Sequence, residues 1–217
     1  MRKRLCMKKV KFFSLLLIIT TILSVGLPGC RKPPGPSGLP FEAIHLGNNL
    51  FVITKTTAEA KESLHLPFIA RFDDPQDIQA GDVMALAFDR LMESFPPQAV
   101  IVASEKLSGE SKTYPAGFDL AHQLLQIRPE KTCLIDVRTA EEFEAGHVPE
   151  SINIPVDQIN DIVNSIPDQD STLLLYCRSG RRSATAAKVL QDLGYRVIFD
   201  LGGISGYKGD LEKSGLK

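Results

Sequence analysis

From about residue 112 to the end of the chain, apolar runs alternate with amphipathic stretches in a regular order. Asp119 to Ile127 carries Leu120, Ala121, Leu124 and Leu125 on one helical face, and the apolar run Cys133-Leu134-Ile135-Asp136-Val137 after it reads as a strand. Thr139-Ala140-Glu141-Glu142 has the form of a capping box, Thr139 reaching forward and Glu142 back, which predicts a short helix from Ala140 to near Gly146. A short strand Ile152-Asn153-Ile154 and a helix from about Val156 to Ile166 follow. Next come a strand from Ser171 to Tyr176, a turn, and a helix with Ala186, Ala187, Val189, Leu190 and Leu193 on one face, stopped by Gly194. A last strand, Arg196-Val197-Ile198-Phe199, leads to Gly202-Gly203 and a final helix. Nearly continuously apolar strands alternating with helices predict an α/β fold: a parallel sheet with helices on both faces.

Residues 41–111 follow a less regular pattern. Leu50 to Thr54 and Ala99 to Ala103 read as short buried strands, whereas Asp82 to Phe95 places Val83, Leu86, Ala87, Leu91 and Met92 near helical spacing. The expectation is a small N-terminal α/β extension of unknown role, for packing or for binding a partner. His45 and His65 are isolated in sequence and read as ordinary surface or hydrogen-bonded histidines. The segment contains no metal-ligand spacing, phosphate loop or nucleophile.

The first thirty residues stand apart. A basic head with Arg2, Lys3, Arg4, Lys8, Lys9 and Lys11 precedes an apolar run from Phe12 to Leu23, the pattern of an export signal. It ends in Leu27-Pro28-Gly29-Cys30, which resembles the bacterial lipobox, with Pro28 where a small residue is usual. This implies a signal peptide over residues 1–29, cleavage before Cys30 and lipid attachment to its thiol; a retained spanning helix is the alternative. Either anchor would tether the rest of the chain to a membrane, outside the cytoplasm, facing the periplasm or the cell exterior. Residues 30–40, rich in Pro and Gly, then form an extended tether.

Composition narrows the function. With 217 residues, 43% hydrophobic and 24% charged, there is room for one ordinary domain and a smaller one. The net charge of −1 provides no global basic field for nucleic acid. If Cys6 leaves with the signal and Cys30 is acylated, Cys133 and Cys177 remain in the body. Cys133 would open one strand and Cys177 close another. In parallel neighbours those ends lie about 10 Å or more apart, so Cys133 reads as a small buried core residue rather than a disulfide partner.

Cys177 is the candidate nucleophile. The run Leu173-Leu174-Leu175-Tyr176-Cys177-Arg178-Ser179-Gly180-Arg181-Arg182-Ser183 takes an apolar strand through a glycine and three arginines into a helix. The start of a helix presents unpaired N–H groups and the positive end of the macrodipole, and the arginines add charge, so the thiol should ionise readily. In open α/β sheets ligands bind beyond the carboxyl ends of the strands, where Cys177, Asp136 and Gly202-Gly203 all fall.

These residues resemble a rhodanese domain over about residues 112–217. Three segments carry the likeness: Leu134-Ile135-Asp136-Val137-Arg138 with Glu141, Glu142, Phe143, Gly146-His147-Val148-Pro149 and Ile152 to Pro155; the loop Cys177 to Ser183; and Leu201-Gly202-Gly203-Ile204. Tyr207 stands where the family commonly has tryptophan, which preserves an aromatic packing role. The resemblance implies that Cys177 accepts a sulfur from a small anionic donor such as thiosulfate. The sulfur would then pass to cyanide, a thiol or a redox protein, with no cofactor or metal. Arg178, Ser179, Gly180, Arg181, Arg182 and Ser183 would form the substrate-binding loop, their N–H groups serving the sulfur and the arginines attracting the donor. Ser183 would cap the helix. Supporting roles fall to Asp136, which would fix neighbouring backbone; to Arg138, which would pair with Glu141 or Glu142; and to Gly202 and Gly203, which would let backbone approach the loop. His147 would hydrogen-bond to backbone.

Two rival readings remain at this point. Cysteine phosphatases and arsenate-handling enzymes share the strand, cysteine loop and helix but place an arginine where Ser183 stands here. With the arginine at Arg182, the loop is shorter by about 3.5 Å of chain, which suits a single sulfur better than a phosphoryl group. The other rival is a module that carries persulfide sulfur or binds a partner without turnover.

Overall fold

The computed structural model describes residues 39–73, 76–109 and 112–213. The export signal, Cys30 and all of the tether before Leu39 lie outside these residues. Among the described residues no helix is long and apolar enough to cross a membrane.

The first five strands are β1 (Phe41–Gly47), β2 (Leu50–Thr56), β3 (Pro67–Arg71), β4 (Val83–Met92) and β5 (Gln98–Ser108), and they close into a barrel in the order β1-β2-β3-β5-β4. β4 closes the barrel on β1. All pairings are antiparallel except β3 with β5. Asn48 and Asn49, with φ of 52° and 57°, make the tight turn from β1 to β2, a conformation that asparagine tolerates well.

The expected α/β extension is thus corrected to a β-barrel with one 3-10 segment, Ala58–Ser63. The segment expected to be a helix, from Asp82 to Phe95, is mostly β4. Met84, Leu86 and Phe88 alternate into the barrel core beside Phe41, Phe51, Phe68 and Ile101, a period of two that the coincident helical spacing of Val83, Leu86 and Ala87 obscured.

The second sheet runs β6-β10-β9-β7-β8, all parallel, with β6 (Lys112–Pro115), β7 (Thr132–Asp136), β8 (Ser151–Asn153), β9 (Thr172–Cys177) and β10 (Val197–Gly203). β9 is central, and all six of its residues are buried. Its side chains alternate between two cores. Leu174 and Tyr176 face the helix α1 (Phe118–Ile127), while Leu173, Leu175 and Cys177 pack in the core containing Ala186, Ala187 and Leu190 of α4 (Arg181–Asp192).

Between these lie α2 (Ala140–Ala145), with the expected Thr139–Glu142 capping box, and α3 (Ile162–Ser165). Three readings change. The helix expected from Val156 to Ile166 is a 3-10 segment, Val156–Asp161, followed by the single turn of α3. The helix expected after Gly203 is only a 3-10 turn, Ile204–Gly206. Cys133 is half-buried rather than fully buried. It lies opposite Leu173, four residues before Cys177 and about 13 Å along the strand, and both thiols are free.

Barrel and sheet share one core. The outer face of β1 and β2, through Ile44, Leu46, Leu50 and Val52, packs with Phe118, Leu120, Ala121 and Leu124 of α1. A polar clasp spans the junction. Asp82, 1% exposed, pairs with Lys106 at 2.7 Å and with Arg196 at 3.5 Å, and the Arg196 guanidinium also donates to Gln79 at 2.8 Å. Arg128 donates to the Leu46 carbonyl.

His45 is buried in this junction, its ring against Phe51 at 4.8 Å, and neither ring nitrogen finds a hydrogen-bond partner among the described residues. It is therefore not the ordinary surface or hydrogen-bonded histidine that the sequence suggests. Burial pushes its pKa below 6.5 and outweighs the opposing influence of the Gln79 backbone and of the Asp82 and Asp170 carboxylates, while Arg128 adds to the lowering. A depressed histidine contributes stability that is complete above the unfolded-state pKa and lost as pH falls through the folded-state value. Denaturant midpoints measured across acid pH should fall below pH 6.5 in the native chain and fall less steeply in His45→Phe, which packs the same site without a titrating ring.

Candidate active site at the end of the central strand

Cys177 ends β9, and the chain turns through Arg178, Ser179 and Gly180 into α4. Gly180 is the N-cap residue, in the left-handed region at φ 91°, and with no side chain it leaves the first amides of α4 uncapped. The sulfur takes the place of a cap. The Gly180 N–H donates to Cys177 Sγ at 3.1 Å, and the Cys177 residue is only 1% exposed. Burial, the largest single influence, disfavours the thiolate; the backbone N–H groups of Ser183, Ser179 and Gly180 oppose it, and the thiol is held below its ordinary pKa. Ser183 does not cap the helix as expected. It sits inside the first turn, fully buried, and its hydroxyl donates back to the Gly180 carbonyl at 3.0 Å.

The neighbouring strand β10 presses on this turn. A Cβ at Gly203 would stand 2.8 Å from the Arg178 carbonyl oxygen and 3.2 Å from Ser179 Cα, so only glycine allows the approach. Gly202 lies at φ 77° beside an irregularity in the β10–β9 register, and its N–H donates to the Asp200 carboxylate at 2.9 Å.

Asp136, fully buried at the end of β7, holds the next turn. Its carboxylate accepts from the Arg138 backbone N–H at 2.9 Å and from the Arg138 guanidinium at 2.6 Å. Arg138 also donates to the Gly146 carbonyl at 2.7 Å. The expected pairing of Arg138 with Glu141 or Glu142 is therefore corrected: a partner two residues back, buried in the same turn, is closer than the exposed face of α2. The pairing outweighs the effect of burial and raises the Arg138 pKa above its ordinary value. Among the described residues no hydrogen bond joins Asp136 to the Cys177 sulfur. Asn153 completes the turn by donating to the carbonyls of Asp136 and Arg138, each at 2.9 Å. His147 stacks on Phe143 at 3.7 Å and donates to the Phe143 carbonyl at 2.9 Å.

Of the three loop arginines, Arg178 and Arg181 are exposed. Arg182 makes a bidentate ion pair with Glu142, at 2.6 and 2.9 Å. Glu142 was not foreseen as a partner of the loop. The capping box accounts for one hydrogen bond to its carboxylate, and nothing in the sequence ties the second oxygen to a residue 40 positions later. Tyr207 packs edge-on against Phe118 at 5.4 Å. No cluster of three potential metal ligands occurs among the described residues.

The second half of the chain is similar to known proteins. The model of the rhodanese-like domain matches residues 120–210. The thiosulfate sulfurtransferase PspE of Escherichia coli is 37% identical over 71 residues, covering 32% of this chain and 68% of that protein. A sulfurtransferase of Allochromatium vinosum is 35% identical over 74 residues, covering 34% and 68%. A solved Escherichia coli rhodanese with anions is 32% identical, covers 38% of this chain and 99% of that one, and has a TM-score of 0.37.

The close approach at Gly203 is testable. Gly203→Ala should displace the Arg178–Ser179 backbone and slow thiol-specific alkylation of Cys177 at neutral pH by about tenfold, while lowering stability by about 1–3 kcal/mol. Peptide-resolved mass spectrometry and thermal denaturation read the two effects.

Proposed function

The chain belongs to the rhodanese-like family of sulfurtransferases, and from that premise we propose that it moves a sulfane sulfur from a thiosulfate-type donor to a thiophilic acceptor through a persulfide on Cys177. The observation that carries this reading is the buried Cys177 sulfur set against the uncapped N-terminal amides of α4. The Cys177 thiolate attacks the outer sulfur of thiosulfate. A new S–S bond forms, the old one breaks, and its electron pair leaves with sulfite. The persulfide so formed carries one negative charge, as the thiolate did, so the same N–H groups serve both states. In the second half, cyanide or a thiolate attacks the outer sulfur and Cys177 departs as thiolate. Neither half needs a separate general base, and the two together give ping-pong kinetics.

Arg178 and Arg181, exposed at the loop, supply the charge that draws in a dianionic donor. The loop argues against a phosphatase. Ser183 occupies the position of the phosphate-binding arginine, and both oxygens of Glu142 engage Arg182.

Full-length chain incubated with thiosulfate should gain the mass of one sulfur atom on Cys177, and cyanide should remove it as thiocyanate. No gain, or an equal gain in Cys177→Ser, would contradict the reading. Vigorous hydrolysis of an aryl phosphate that requires Cys177 would favour the phosphatase instead, and loading without turnover would favour a sulfur carrier.

We further propose that Cys30 is acylated and holds the catalytic body at a membrane outside the cytoplasm. The basic head, the apolar run and Leu27-Pro28-Gly29-Cys30 support this. The full-length product should partition with membranes, and Cys30→Ala should release it or leave an uncleaved precursor. Identical partition and identical mass for both would count against acylation.

A further inference from the structure

Glu142 stands on α2, yet both of its carboxylate oxygens are engaged by Arg182 in the first turn of α4. The pair is only partly exposed to solvent, its side chains 30% and 25% exposed. One oxygen also accepts from the Thr139 N–H at 3.2 Å, so the carboxylate is anchored to the turn that follows β7. β7 and β9 are adjacent parallel strands, with Asp136 opposite Tyr176, so Glu142 ties the turn after one strand to the cysteine loop after the other.

The electrostatics of α4 explain why such a tie is needed. Its first turn contains no acidic residue, and Arg178, Arg181 and Arg182 crowd the positive end of the helix. Left to itself, the Arg182 guanidinium would swing into solvent, away from the dipole and from its neighbours. Glu142 lends the missing negative charge from another helix, and bidentate geometry fixes the plane of the guanidinium as a single hydrogen bond would not. The pair strongly favours both charged states. It draws the Glu142 carboxyl down to about 2 and raises Arg182, which is raised further by the Cys177 sulfur.

We propose that Glu142 is a positioning residue that holds the Arg182 guanidinium at the cysteine loop, in the helix turn whose N-cap amide meets the Cys177 sulfur, leaving Arg178 and Arg181 as the arginines that meet the anionic donor. The inference rests on the reading of Cys177 as the sulfur-accepting nucleophile. It divides the labour of the loop: one arginine is fixed to serve the thiolate and persulfide, and two are left to bind what arrives.

Charge alone and positioning predict opposite outcomes for Glu142→Gln. Removing a negative charge near a thiol should, by itself, lower the thiol pKa. If Glu142 works by holding Arg182, its loss should raise that pKa instead. Glutamine also serves in a capping box, so α2 keeps its start. The measurement is the pH dependence of site-resolved alkylation of Cys177 in the full-length chain, alongside kcat/KM for sulfur loading from thiosulfate. Glu142→Gln should raise the apparent pKa of Cys177 and lower kcat/KM by about tenfold or more. Added to Arg182→Gln it should raise the pKa no further, because the positioning effect of both acts through one guanidinium. Thr139→Ala, which weakens the helix cap but leaves the ion pair, should move thermal stability and not the thiol pKa. An unchanged or lowered pKa in Glu142→Gln, additivity with Arg182→Gln, or an equal pKa rise in Thr139→Ala would each overturn the proposal. The alkylation readout needs no sulfur transfer, so a chain that never loads sulfur would refute the proposed function and leave the positioning test standing.

Discussion

A buried thiol at the end of an apolar strand would ordinarily be an inert core residue, since burial alone keeps its proton on. What changes its character here is the set of amide hydrogens that α4 cannot pair for itself and that no side chain caps. Gly180 at the N-cap offers no side-chain oxygen, its positive φ turns the chain sharply into the helix, and its own N–H meets the Cys177 sulfur at 3.1 Å. The rest of the site guards this arrangement. Gly203 lets β10 press against the loop, the Asp136–Arg138 pair rigidifies the adjoining turn, and Glu142 holds Arg182. These contacts come from β10 and from the segment that follows β7, which is why a parallel sheet, with all its carboxyl ends on one side, suits this chemistry.

The barrel contributes to the same economy of surfaces. One face of the sheet is covered by α1, and the outer side of β1 and β2 packs on α1 in turn, so residues from both halves of the chain form one apolar core. Asp82, nearly fully buried, is matched by Lys106 from the barrel and Arg196 from the approach to β10. A charge so placed is tolerable only while its partners stay in register, which ties the barrel to the strand that supports the cysteine loop.

Much of the sheet and the cysteine loop could be read in the sequence because their causes are local. Nearly unbroken apolar runs gave β7 and β9, a Thr-x-x-Glu pattern gave the start of α2, and a strand, cysteine and glycine before a helix gave the site. Four features escaped because their causes are distant or degenerate. β4 carries spacings that fit a helix as well as the inward alternation of Met84, Leu86 and Phe88, and only pairing with β1 and β5 decides between them. Arg138 had acidic neighbours ahead of it in sequence, but burial favoured Asp136 behind it. The Glu142–Arg182 pair spans two helices, and no local pattern records it. His45, unpartnered at the junction of barrel and sheet, likewise follows from tertiary packing alone.

The central claim is that the fold itself lowers the thiol pKa of one cysteine and raises that of the other. Cys133, which faces no uncapped helix amides, has its pKa pushed above the ordinary value by burial, whereas the loop amides bring that of Cys177 below it. The most direct measurement is the pH dependence of alkylation at both cysteines of the full-length chain, resolved by peptide mass spectrometry so that each serves as a reference for the other. The account predicts a titration midpoint for Cys177 below that of an ordinary cysteine and one for Cys133 above it. Coincident midpoints, or the reverse order, would contradict it.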